Sequence, residues 1–194
     1  GMDVDAIEAA GISALQPEFE RIAAIETSQD MQDLVAEYHT LGLDPLFGGN
    51  VMQDLMNSSV YSFYFMQAGV GLPDVEYYTK EDDRSKEIRD AYVKHMEKMF
   101  TLAGDSPDAA GKQANTVMDI ETRLASNSRT RVQMRNIPAL YNKMSLAELA
   151  DVAPHFDWQR YMSHISDKDF GDVIVGMPEF FQAMDAALSE IPLS

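Results

Sequence analysis

The sequence predicts a mainly α domain with a small β-hairpin and one further short strand. Three observations carry this expectation. Apolar residues recur every three or four positions in several segments that open on a capping residue and close on glycine or proline. One central segment, Leu43 to Tyr78, abandons that period for valine- and aromatic-rich runs broken by Gly48-Gly49 and Asn57-Ser58-Ser59. The composition is 45% apolar, 9% aromatic and 24% charged over 194 residues, which suits one folded domain with its own core and neither disorder nor a membrane span.

In order along the chain, Ala6 to Ala10 and Pro17 to Ile25 read as two short helices, the second with proline in its first turn and Phe19, Ile22 and Ala23 on one face. Thr27 or Ser28 caps a longer helix whose stripe is Met31, Leu34, Val35, Tyr38 and Leu41, and Gly42 stops it. Phe47 to Met52 and Val60 to Met66 form the hairpin, with a long connection. Gln67 to Tyr78 holds Gly69, Gly71 and Pro73 and reads as an irregular connection, with positive φ expected at both glycines. Ile88, Tyr92, Met96 and Met99 mark a helix from Ser85 to Leu102, ended by Gly104, with Asp82 and Asp83 at the positive end of its dipole. Ser106-Pro107 opens another, carried by Ala110, Ala114, Val117, Ile120 and Leu124. Ser145-Leu-Ala-Glu148 is a capping box for a short helix that Pro154 terminates. Trp158 to Ile165 is helical, Asp172 to Val175 is the further strand, and Pro178 opens the last helix with Phe181, Met184 and Leu188 inward.

Fifteen basic against 32 acidic residues leave a net charge of −17. Such a field repels phosphate backbones and anionic lipid, so no nucleic-acid partner and no direct membrane binding are expected. The absence of cysteine removes a disulfide scaffold, a thiolate zinc site and a cysteine nucleophile, and leaves the compartment open. The first ten residues hold no basic segment followed by an apolar core. Gly1-Met2 and the abrupt Ile191-Pro192-Leu193 make both ends look like cuts.

None of the four histidines, His39, His95, His155 and His164, forms the pair that sets two imidazoles on one helical face around a metal. All four are expected as surface or partly buried side chains. The acidic pairs Asp82-Asp83 and Asp167/Asp169 lack a calcium-loop pattern and read as solvated faces. No Gly-x-Ser-x-Gly elbow or phosphate-binding glycine loop is present. The 13 methionines fall mostly on the apolar stripes, so core packing is expected of them and not an adaptable binding surface. Residue chemistry alone yields no catalytic, cofactor-binding or metal residue.

Several blocks, in order, resemble the N-terminal region of the neprilysin family of zinc metalloendopeptidases, which includes the endothelin-converting enzymes and bacterial oligopeptidases. They are Leu41-Gly-Leu-Asp-Pro-Leu-Phe47, Asn57-Ser-Ser-Val-Tyr61, Gln67-Ala-Gly-Val-Gly-Leu-Pro-Asp-Val-Glu-Tyr-Tyr78, Ile120-Glu-Thr-Arg-Leu-Ala125, Tyr141-Asn-Lys-Met-Ser-Leu146, Phe156-Asp-Trp158 and Val173-Ile-Val-Gly-Met-Pro-Glu-Phe180. The third block supplies the motif loop, whose marked residues are Gly69, Gly71, Leu72, Pro73, Asp74, Tyr77 and Tyr78. It departs from the family pattern at Ala68, where a glycine is common, and at Val75-Glu76, where arginine and aspartate are common. The resemblance implies a helical cap lobe of a two-lobed enzyme, one domain over residues 1–194. The partner lobe of the same chain would bring the His-Glu-x-x-His zinc site, the downstream glutamate and the peptide substrates. It implies zinc for the parent enzyme, none for this chain, and an exported location. The alternative is a free-standing binding or scaffold protein that has kept this lobe alone.

Overall fold

The computed structural model describes residues 3–192; Gly1, Met2, Leu193 and Ser194, and with them the expectations about the two ends, lie outside the described residues. Nine helices and four strands are described within that range, in the order α1 (Val4–Ala10), α2 (Gln16–Ala23), α3 (Ser28–Thr40), β1 (Phe47–Gln53), β2 (Tyr61–Gln67), α4 (Glu76–Thr79), α5 (Asp83–Ala103), α6 (Pro107–Ser126), β3 (Lys143–Met144), α7 (Leu146–Val152), α8 (Trp158–Ile165), β4 (Val173–Val175) and α9 (Pro178–Glu190). The mainly α expectation holds. Local chemistry sets the helix starts. Thr27 Oγ1 accepts the Asp30 N–H at 3.1 Å while the Asp30 carboxylate accepts the Thr27 N–H at 2.8 Å, and Ser145 and Glu148 make the same reciprocal pair. Asp82 caps α5 and Ser106 caps α6, while Gly42 and Gly104, both at positive φ, close α3 and α5.

The sheet has four strands, in the order β1-β2-β4-β3. β1 and β2 run antiparallel from Phe47 opposite Gln67 to Gln53 opposite Tyr61, and β2 continues parallel to β4 through Tyr64 opposite Ile174. Two features differ from the sequence reading. Lys143-Met144 adds a short antiparallel strand on β4, too brief to show a period of its own. The end of the irregular connection closes into one helical turn, Glu76–Thr79, over which the Asp74 carboxylate accepts the Glu76 N–H.

The core lies between the sheet and α3, α8 and α9. Phe47, Phe63, Phe65, Phe156, Trp158, Tyr161 and Phe181 are buried in one aromatic cluster, with Phe47 centred 5.4 Å from Phe156 and 5.5 Å from Trp158. His39 of α3 enters this cluster from the side. Its Nε2 lies 2.8 Å from the Phe47 carbonyl and its Nδ1 2.7 Å from the Tyr161 hydroxyl. A carbonyl only accepts, so Nε2–H donates to it, and in the neutral imidazole Nδ1 accepts the Tyr161 O–H. Burial, outweighing the Phe47 hydrogen bond, also holds the His39 pKa below its ordinary value. Farther along α3, Gln32 bridges the His155 carbonyl and the Asp157 N–H, and Asp185 of α9 receives the His155 N–H.

The hairpin ends are tied by Asp54. Its carboxylate, buried at the base of the 54–60 connection, accepts the N–H groups of Met56 and Asn57, the hydroxyls of Ser62 and Tyr141, and the Lys143 ammonium. Burial alone would raise the Asp54 pKa, but the hydrogen bonds from Met56, Tyr141, Lys143 and Ser62 outweigh it and bring it down to about 2.

The methionine expectation holds only in part. Met96, Met162, Met177 and Met184 are buried, but Met52, Met56 and Met99 are exposed.

Replacing Phe47, which is 0% exposed, by alanine should lower stability by about 3 to 5 kcal/mol in urea denaturation. The Asp54 contribution has the sign of a depressed carboxylate: present in full above the ordinary value of 3.8, and lost as pH falls through about 2. The stability gap between the natural chain and Asp54→Asn should therefore narrow steadily on acidification from about pH 4 to pH 2, read by denaturant melts at stepped pH.

Candidate functional site

Of the seven residues singled out in the motif loop, Gly71, Leu72, Tyr77 and Tyr78 lie against the α5–α6 helical hairpin, Gly69 against Leu46, and Pro73 and Asp74 against Arg131. Gly69 stands at φ +76°, and a Cβ there would lie 2.7 Å from the Cα of Leu46, itself held at φ +66°. Glycine is required at position 69 both for its dihedral and for the close passage of the chain. Gly71 is different from expectation: its φ is not positive. A Cβ on Gly71 would overlap the Tyr92 hydroxyl and lie 2.8 Å from Tyr92 Cζ, so the requirement is space and not conformation. Leu72 is buried and its N–H donates to the Tyr78 hydroxyl at 2.8 Å. The Pro73 carbonyl accepts from Arg131, whose guanidinium also pairs with Asp74 at 3.2 Å. The Tyr77 carbonyl accepts from Arg89 at 2.7 Å.

Beneath the loop lies a carboxylate that the sequence reading did not single out. Glu121 of α6 is 8% exposed; its Oε2 accepts the Tyr78 hydroxyl at 2.6 Å and its Oε1 the Tyr92 hydroxyl at 3.0 Å. A signal for it existed, since Ala110, Ala114, Glu121 and Ala125 share one helical face and an acidic residue there must find donors. Burial, reinforced by the Glu121 charge, raises the Tyr92 phenol to about 12 and pushes Tyr78 further in the same direction. Both phenols therefore remain donors, and the carboxylate serves only as their acceptor. The cluster holds backbone in place; it presents no reacting group to solvent.

Around this centre, Gln67 extends the strand chemistry with its side chain, giving its Nε2–H to the Arg129 carbonyl at 2.8 Å and accepting the Arg129 N–H at 2.6 Å. Arg129 in turn binds Glu179 and the Ala139 carbonyl. The open groove beside the loop, about 400 Å³, is thus lined by arginines already paired within the fold. At the departures from the family pattern, Val75 packs with Leu72, Tyr78 and Ala125, so position 75 contributes apolar contact in place of a charge.

Three of the four histidines are already partnered. His39 is committed to Phe47 and Tyr161, His155 lies 2.8 Å from Asp185, and His164 lies 3.2 Å from Asp33. Among the described residues no three histidine or carboxylate side chains converge as a metal-binding group.

Gly71→Ala should destabilise by about 1 to 3 kcal/mol through overpacking. Removing the obstructing oxygen with Tyr92→Phe should return part of that loss, so the double variant should be more stable than the sum of the two single effects; denaturant melts of the three variants measure it.

The likeness to known proteins runs through these same elements. The chain is 29% identical over 152 residues to endothelin-converting enzyme-like 1 of Rattus norvegicus, covering 76% of this chain and 19% of that protein. It is 28% identical over 145 residues to neprilysin-3 of Drosophila melanogaster, covering 71% and 18%. The chain thus spans about a fifth of the length of these relatives. Among solved structures, the Mycobacterium tuberculosis zinc metalloprotease Zmp1 in complex with an inhibitor superposes with a TM-score of 0.89 at 24% identity, over 97% of this chain and 29% of that one. PepO of Lactobacillus rhamnosis gives 0.78 at 15% identity, over 92% and 28%. The N-terminal profile described as Peptidase family M13 matches residues 1–194 throughout, and the chain belongs to that family.

Proposed function

We propose that this chain is the non-catalytic cap lobe of a longer zinc metallopeptidase and restricts which substrates reach the metal centre. The observation that carries this reading is the match along the whole chain to an N-terminal family profile, with relatives of which the chain spans about a fifth. The partner is the catalytic lobe of the same polypeptide, which supplies the zinc, its ligands and the general base. Substrates are short peptides. A rigid wall of helices suits that role, because it limits access to a buried centre and keeps bulk water from it. The net charge of −17 favours entry of basic peptides at low ionic strength. By its likeness to the neprilysin family, the site of action is outside the cytoplasm.

A quenched short peptide tests the reading. The full-length protein should cleave it, lose activity to a chelator and spare folded proteins. The 194-residue chain should stay inert with added zinc, because metal cannot replace missing ligands. Zinc-dependent turnover by the 194 residues that survives repurification would defeat the assignment. So would a full-length protein without chelator-sensitive cleavage, the outcome expected of a free-standing scaffold.

A further inference from the structure

From Pro45 to Pro73 the only charged side chain is Asp54, and Asp54 is 2% exposed. This length of a chain with net charge −17 therefore shows solvent no charge of its own. Beside the exposed polar Asn50, Gln53, Asn57, Ser58 and Ser59 it shows a group of apolar side chains: Val51, Met52, Leu55, Met56, Val60 and Tyr61 are all exposed, Met56 and Tyr61 at 68%. The pairing of Gln53 with Tyr61 places all six at the distal end of the hairpin, around the 54–60 connection. An exposed apolar loop ordinarily gains its order by packing its own side chains inward. Here order comes from polar bonds on the inner side. Asp54 holds Met56, Asn57 and Ser62, and the Leu55 N–H donates to the Tyr64 hydroxyl at 3.0 Å. The result is a preformed surface whose own segment exposes no charge and which holds two methionines and a tyrosine, side chains enriched in interface cores, among uncharged polar residues.

We propose that the hairpin tip is the surface by which this domain docks on another part of its own polypeptide, the catalytic lobe inferred above; the proposal rests on that reading. Electrostatics selects this occupant. Two copies each carrying −17 repel, and an anionic lipid surface repels the chain for the same reason. A contact within one polypeptide gains the high effective concentration of a tethered partner and needs no charge attraction to form. Chain for it exists in the family, since the domain covers 29% of the Zmp1 structure whose fold it shares. Preorganisation by Asp54 lowers the entropic cost of docking.

Hydroxyl-radical footprinting reads the proposal directly, because methionine is readily oxidised and its oxidation tracks exposure. In the full-length protein Met56 and Tyr61 should be oxidised about fivefold or more slowly than in the 194-residue chain, against a free-peptide dosimeter and independently of protein concentration. In full-length Met56→Glu/Tyr61→Glu, two substitutions at exposed positions, Met52 should return to its rate in the 194-residue chain. Equal oxidation of the tip in both proteins overturns the proposal, and protection that grows with protein concentration overturns it in favour of a second copy. Chelator-sensitive peptide cleavage is assayed on the same full-length sample. Cleavage present with an unprotected tip defeats the docking surface alone, whereas cleavage absent defeats the peptidase reading on which it rests.

Discussion

A neutral imidazole organises this fold. His39 donates Nε2–H to the Phe47 carbonyl and accepts the Tyr161 O–H at Nδ1, so α3, β1 and α8 meet at a single side chain. The position of Phe47 follows, and with it the aromatic cluster that Phe65, Phe156, Trp158 and Phe181 build around its ring. Leu46, next in the chain, is held at positive φ, and Gly69 runs across its backbone. Gly69 leads to Gly71 on the Tyr92 hydroxyl, and so to Glu121. The interior and the motif loop are thus consecutive parts of one packing problem.

Two buried carboxylates do comparable work with different partners. Asp54 gathers backbone N–H groups, hydroxyls and one ammonium, and its pKa falls to about 2. Glu121 gathers two phenols and no cation, and the effect is seen on the phenols, which become harder to ionise. Asp54 orders a loop whose apolar side chains face solvent, whereas Glu121 acts together with the packing of Leu72, Val75 and Tyr78 on Ala125.

The same distribution of groups accounts for a domain without visible reaction chemistry in a family of peptidases. His39, His155, His164, the buried acids Asp54 and Glu121 and the arginines of its groove are each partnered inside the fold. Side chains already committed to positioning backbone are poor candidates for binding metal or moving protons. Exposed apolar side chains remain, and Val51, Met52, Leu55, Met56, Val60 and Tyr61 gather at the hairpin.

The sequence by itself determined the helices and their ends. Capping boxes at Thr27 and Ser145, the glycine stops at Gly42 and Gly104, and the period of the apolar stripes act over a few residues and need no distant partner. It also determined the hairpin and the family, because the ordered blocks are linear patterns. Only the tertiary structure decided that Gly71 is needed for space, that Glu121 anchors the loop, that Lys143-Met144 joins the sheet and that Met56 faces solvent. Each depends on a group far away in sequence: Tyr92 against Gly71, Tyr78 against Glu121, β4 beside Lys143, Asp54 drawing the tip's backbone inward while its side chains turn out. Periodicity records which residues share a face of one element. Which element then covers that face, or leaves it bare, is fixed by the packing of the whole chain.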